Sequence, residues 1–169
     1  MDTHTGDINI VEIWLRRDPI RWIAGALAGL FAGAMMIGLA MLAAKASGAE
    51  LWYPVKIAAL PFLGPSALEY GDHFNHILVG LVSLSGLCVF LGVVYAHFTG
   101  TNNLAALAGV GLVWGIFGWI FINNLFTQSI NPVFWAHISR GAAFPIYLVF
   151  GLGLTSVAFF DRALRGGRT

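Results

Sequence analysis

The chain has 169 residues, of which 58% are hydrophobic and 10% are charged, and its mean hydropathy is +0.79. A surface of this composition could not be kept in water, which excludes a soluble domain. The formal net charge is +1 and there is no run of basic residues, so nothing indicates nucleic acid as a partner. Uncharged stretches long enough to cross a membrane recur, whereas the alternation typical of an outer-membrane barrel does not. We therefore expect an all-α integral membrane protein whose residues 1–169 form one domain.

The chain begins with a segment predicted to lie on the membrane surface. In residues 8–17, apolar side chains recur at helical spacing opposite charged ones, a pattern typical of an interfacial helix. Asp18 and Pro19 then form a helix-start signal, because an aspartate can cap free backbone N–H groups and a proline fits the first turn. The first membrane span is predicted to follow at residues 20–44.

This first span carries a row of small residues. Gly25, Gly29 and Gly33 are four apart and therefore share one helix face. In lipid a smooth face has value because it lets another helix approach closely. We expect this face to pack against protein, and we interpret it as pointing to assembly with other membrane subunits.

A long connection separates the first two spans. Residues 50–70 hold aromatic and proline side chains between apolar stretches that are too short to cross. Aromatic residues beside prolines suit the headgroup layer. We predict an interfacial segment that seals the bundle against lipid or, as the alternative, serves as a functional lid. The second span is predicted at residues 73–97.

Two further spans complete a predicted four-helix transmembrane bundle. The third is expected at residues 104–126 and the fourth at residues 133–160, with a kink at Pro145. Small residues again share one stripe of the third span, which predicts close packing against another helix. These residues are Gly111, Gly115 and Gly118.

The basic residues set the predicted orientation. Six of them flank the two chain ends, and three lie at the opposite ends of the spans. Because cytoplasmic segments carry the excess of lysine and arginine, both termini are predicted to be cytoplasmic. The architecture is similar to that of small four-helix bacterial membrane proteins, a similarity that transfers no site. We expect a multi-pass protein of the bacterial cytoplasmic (inner) membrane.

The sharpest polar cluster is predicted where the second span begins. Asp72, His73 and His76 lie there, and the topology brings His137 to the same level. Carboxylate and imidazole groups are ligands for zinc, copper or iron, so these four residues are a candidate metal site. The simpler interpretation, which we prefer, is that they cap helices and bond to one another or to water.

One arginine is predicted to lie inside the fourth span. Arg140 would stand about 12 Å along that helix, where a guanidinium needs a partner. The nearest carboxylates in this topology are Glu69 and Asp72, so these three residues are a candidate buried ion pair. The alternative is that Arg140 extends outward to the membrane surface.

Two tryptophans of the third span stand on the flank away from its glycines. Trp114 is too deep for an interfacial belt, so we expect Trp114 and Trp119 to contact a pigment, a quinone or a lipid tail, or else ordinary membrane lipid. The sequence identifies no cofactor. A bound lipid, quinone or pigment fits the sequence better than a metal does.

The sequence contains no catalytic motif, and a structural role is favoured over an enzyme. Smooth helix faces and an aromatic flank predict a non-catalytic accessory subunit of a larger membrane complex, of the respiratory or photosynthetic energy-converting kind. Its partners would be other integral membrane subunits and lipids. The alternatives are a metal-binding or redox enzyme at the Asp/His cluster, and a small oligomeric channel or carrier whose glycine faces meet between copies.

Overall fold

The computed structural model describes residues 17–122 and 140–166, which form helices and turns without any strand. The helices are α1 (Pro19–Ala46), α2 (Tyr53–Leu63), α3 (Phe74–Phe98), α4 (Leu104–Ile120), α5 (Arg140–Gly153) and α6 (Val157–Leu164). A 3₁₀ turn, Gly64–Leu68, follows α2, and another, Leu154–Ser156, joins α5 to α6. The predicted all-α class is confirmed for these residues.

Three helices are long and apolar enough to cross a membrane. They are α1, α3 and the continuous helical rod Ala143–Leu164, which α5 and α6 form together. Helix α4 is also apolar but shorter, with 17 residues. The predicted end of the third span and start of the fourth fall within residues 123–139, outside the described ranges. Three helices therefore show the membrane-spanning character of the chain, and the count of four spans stays a prediction.

The start of α1 agrees with its sequence signal. The Asp18 side chain accepts a hydrogen bond from the backbone N–H of Arg21 at 3.1 Å, and Pro19 stands in the first turn. This arrangement confirms the predicted cap. The predicted surface helix at residues 8–17 lies outside the described residues except for Arg17.

The connection between α1 and α3 is folded against the bundle. It contains α2, whose Val55 is fully buried against α3. The contact is close because α3 has no side chain at Gly80. A Cβ atom there would overlap the Val55 carbonyl oxygen and stand 2.9 Å from its carbon. The predicted placement of residues 50–70 at the membrane interface stays a prediction.

The glycine row of α1 packs against α3 of the same chain. A Cβ atom at Gly25 would stand 2.6 Å from the carbonyl oxygen of Gly92, and one at Gly29 would stand 2.9 Å from the carbonyl carbon of Cys88. Further along, a Cβ atom at Gly33 would stand 2.7 Å from the Cys88 sulfur. The two backbones therefore touch, and the smooth face is covered by this chain's own helix.

The neighbouring face of α1, which carries alanines, packs against the α5–α6 rod. Ala24, Ala28 and Ala32 are fully buried in one cluster with residues of that rod such as Leu154. The two helices approach closely at Gly153, where a Cβ atom would stand 2.8 Å from the Ala32 Cβ. Helix α1 is thus the centre of the bundle, with α3 on one face and the rod on the other.

Helix α4 is attached to α5 by a second glycine contact. A Cβ atom at Gly115 would stand 2.6 Å from the carbonyl oxygen of Tyr147, and one at Gly111 would stand 3.1 Å from the carbonyl carbon of Gly151. Gly118 has only ordinary contact with the Tyr147 ring. The small residues of both stripes therefore lie in contacts within the chain.

We predict that Gly29→Ala destabilises the bundle by about 1–3 kcal/mol, because a methyl group must push apart two backbones that cannot yield as a flexible side chain does. The measurement is the temperature at which purified protein in mild detergent loses its monodisperse peak. Gly38→Ala is the matched control, since it lies on the same helix with no atom within 4 Å of its Cβ position. Equal midpoints for the two variants would contradict the prediction.

Candidate functional site

Polar side chains are concentrated at the two ends of the bundle. The Arg21 cluster comprises Asp18, Arg21, Asn102, Asp161 and Arg165, where α1 begins and α6 ends. The Lys56 cluster lies at the opposite end of α1 and comprises Glu50, Lys56 and the backbone carbonyls of Glu69 and Gly71. Each cluster is built around one buried cation.

Arg21 connects three separate parts of the chain. Its residue is 4% exposed, and its guanidinium donates to the carbonyl oxygens of Thr99 and Thr101, each at 2.7 Å. It also donates to the Asn102 side chain, and its Nη1 stands 3.3 Å from Oδ2 of Asp161. One side chain of α1 therefore holds the connection between α3 and α4 together with the last turns of α6.

Asp161 receives further donors. The Asn102 side-chain amide donates to its Oδ2 at 3.2 Å, and Nε of Arg165 donates to its Oδ1 at 3.0 Å. Arg165 also reaches Oδ2 of Asp18 at 2.5 Å. The hydrogen bonds to Asp18 and Asp161 raise the pKa of Arg165 above its ordinary value. The cluster therefore joins both ends of the folded chain through alternating charges.

Lys56 is fully buried, so its charged ammonium group has to find hydrogen-bond acceptors in the protein and not in water. Its ammonium donates to Oε1 of Glu50 at 2.7 Å, to the carbonyl oxygen of Glu69 at 2.9 Å and to that of Gly71. An ammonium has three N–H donors, so all of them are taken. Lys56 thereby pins the segment that leads from α2 into α3.

The predicted metal ligands are only partly brought together. His73 and His76 lie with their ring centroids 5.1 Å apart, and Nε2 of His73 is 3.2 Å from the Tyr70 carbonyl oxygen. Asp72 is exposed, and His137 lies outside the described residues. Across 17–122 and 140–166, no three potential ligands are grouped so that they could hold a metal ion.

The predicted ion pair of Arg140 with Glu69 and Asp72 is not seen among the residues that the structure describes. Glu69 and Asp72 have exposed side chains, and Glu69 contributes its backbone carbonyl to Lys56 instead. Arg140 begins α5, but its side chain lies outside the described part. The pairing of Arg140 stays a prediction.

The two tryptophans of α4 have ring neighbours within the chain. Trp114 is half-buried and meets the Tyr95 ring edge-on, with centroids 6.3 Å apart. The Tyr95 hydroxyl in turn donates to the carbonyl oxygen of Leu107 at 2.7 Å. Trp119 is also half-buried and meets the Phe144 ring edge-on at 5.2 Å. These contacts attach α4 to α3 and α5, and the predicted contact with a pigment or lipid stays untested.

The burial of Arg21 and Lys56 was not predicted from the sequence. Arg21 counts there as a flanking charge that sets orientation, and Lys56 counts as part of an interfacial segment. A usable signal was present in each case. Arg21 stands two residues inside an apolar helix, and Lys56 stands between Val55 and Ile57, so neither position offers free access to water. The partners could not be read from the sequence, because Arg21 and Asp161 are 140 residues apart.

No known protein family, curated protein or solved structure matches this chain.

We predict that Arg21→Met lowers the stability of the bundle by about 3–5 kcal/mol, because it leaves Asp161 and two loop carbonyls without their buried donor. Thermal aggregation in detergent measures the loss, and exposed Arg17→Met is the matched control. Adding Asp161→Asn to Arg21→Met should restore part of the stability, since it removes a buried carboxylate that would keep only the exposed Arg165 as its ionic partner. A midpoint for Arg21→Met equal to that of Arg17→Met would refute a structural role for the cluster.

Proposed function

We propose that this chain is a non-catalytic accessory subunit of a larger membrane protein complex, of the energy-converting kind found in respiration or photosynthesis. The observation that carries the proposal is the use of the two buried cations. Arg21 and Lys56 donate their hydrogen bonds to groups of this same chain, and these bonds hold loops and helix ends in place. Hydrogen bonds of this kind within one chain support a scaffold role.

The contacts with a partner would use faces other than the glycine rows. Gly25, Gly29 and Gly111 are covered by helices of the same chain, which also removes the basis for a channel formed by glycine faces between copies. Apolar side chains remain exposed on α1, α3 and α4, among them Leu42, Val82, Phe90 and Val113. In the proposal, lipid and neighbouring subunits share this surface.

The exposed basic residues support a cytoplasmic location for both termini. Arg17, Arg162 and Arg165 are exposed at the Arg21 end, whereas Lys45 is exposed at the opposite end. This asymmetry favours the Arg21 end on the cytoplasmic side, by the excess of positive charge found there. The bacterial cytoplasmic membrane is part of the same proposal.

The test is purification of the tagged full chain from its own membranes in mild detergent, with mass spectrometry and an absorption spectrum of the same fraction. We expect larger membrane subunits at a fixed stoichiometry, with cofactor absorption carried by those subunits. A tagged chain without its Arg21 cluster, Arg21→Met, should lose them, and Arg17→Met should keep them. A colourless chain that migrates alone, or only with copies of itself, would refute the proposal.

A second candidate function is a metal-binding or redox enzyme. It is favoured by the proximity of the His73 and His76 rings and by Nδ1 of His76, which is buried and has no hydrogen-bond partner within the described part. In the neutral tautomer that carries its proton on Nε2, Nδ1 of His76 has a free electron pair that it could donate to a metal ion. His137 would be the third ligand in this proposal, and Asp72 the fourth.

Metal analysis separates the two candidates. If the second is right, the purified chain should carry one equivalent of zinc, copper or iron, and His73→Ala with His76→Ala should lose it. His97→Ala is the control, because His97 lies about 30 Å further along α3 and accepts a hydrogen bond from the Trp22 indole at 3.3 Å. An equal metal content in both variants would exclude the two histidines as ligands.

A further inference from the structure

A groove of about 410 Å³ opens between α1, the start of α4 and the α5–α6 rod. Its apolar lining comes from all three parts, with Phe31 and Met35 from α1, Leu104 from α4, and Leu152 and Phe159 from the rod. These side chains belong to membrane-spanning helices or stand next to them. Where these helices cross a membrane, the groove faces the hydrocarbon layer, in which an acyl chain is the commonest apolar occupant.

The length of the groove matches one leaflet. Leu152 and Arg162 mark its two ends along the rod, and ten residues of helix rise by about 15 Å. The hydrocarbon core of a bilayer is roughly 30 Å thick, so each leaflet contributes about half of it. A groove that runs from the membrane surface to mid-depth is long enough for one extended acyl chain.

A cation stands at the surface end of this groove. Nε of Arg162 donates to the Ala158 carbonyl oxygen at 3.0 Å, which anchors the guanidinium one turn back along the rod. Among the described residues no carboxylate forms an ion pair with Arg162, and Asp161 and Asp18 pair with Arg21 and Arg165 instead. Arg162 lines the groove and is exposed, so its guanidinium is available to an anion.

A second polar group lies deeper in the same groove. The Ser156 hydroxyl is buried there and has no hydrogen-bond partner within the described part, whereas its neighbour Thr155 donates to the Leu152 carbonyl oxygen at 2.7 Å. A buried hydroxyl without a partner costs free energy unless a bound molecule satisfies it. By rotating about its Cα–Cβ bond into the groove, the hydroxyl would reach the ester carbonyl of a lipid, below the headgroup and above the acyl chain.

We propose that the groove is a binding site for one phospholipid with an anionic headgroup, whose phosphate is bound by Arg162 and whose acyl chain lies against Phe31, Leu104 and Leu152. The preference for an anionic lipid follows from the charges at this end. Both carboxylates of the Arg21 cluster are already neutralised by arginines, so the charge of Arg162 is left for an anionic headgroup.

The experiment is titration of the purified full chain, with any subunits that accompany it, with phosphatidylglycerol and with phosphatidylcholine of the same acyl chains. Native mass spectrometry counts the lipids bound. We expect one phosphatidylglycerol to bind preferentially, and Arg162→Gln to weaken it about tenfold, the loss of one charge-assisted hydrogen bond. Arg17→Gln is the charge-matched control, because Arg17 does not line the groove.

A second pair of variants tests the acyl chain independently of charge. Leu152→Trp fills the groove and should weaken both lipids, whereas Leu78→Trp should not. The two leucines are 43% and 45% exposed, and only Leu152 lines the groove. Equal losses for Arg162→Gln and Arg17→Gln would show diffuse attraction to charge and overturn the proposal. Unchanged lipid binding by Leu152→Trp would overturn it as well, since the groove would then hold another occupant, such as a helix of a second protein.

Discussion

The structure depends on the contact of two backbones, those of α1 and α3. At Gly25 and Gly92 the two helices approach so closely that a single Cβ atom on either side would overlap the other helix. Lipid tails are as apolar as leucine, so helices in a membrane gain little by burying apolar surface against each other. Close approach supplies van der Waals contact instead. This close contact fixes the position of α1 against α3. Through α1 it also fixes the position of the α5–α6 rod, which packs on the other face of α1.

The Arg21 cluster is one consequence of that contact. Once α1 and α3 are packed, the beginning of α1 lies beside the connection between α3 and α4, whose carbonyl groups have no helical partner. Arg21 donates to Thr99 and Thr101 there and pairs with Asp161 from the far end of the chain. A buried pair gives little net stability against an apolar replacement, but it penalises any arrangement that separates its members. The cluster therefore selects one packing of the helices.

The outer surface of the bundle has a different character. Large apolar side chains are exposed along α1, α3 and α4, as expected for helices surrounded by lipid. The groove that ends at Arg162 interrupts this surface with a cation. A scaffold subunit and a lipid site are compatible roles, because an annular lipid held in a groove can fill the space between neighbouring membrane proteins.

The sequence by itself determined the helical membrane class, the cap at Asp18 and the positions of the smooth helix faces, because these follow from composition and from local spacing. Only the tertiary structure decided what covers those faces. A row of glycines accepts a helix of the same chain as readily as one from a partner, and no local pattern distinguishes them. The same holds for Arg21 and Asp161, whose pairing across 140 residues depends on the packing of every helix between them.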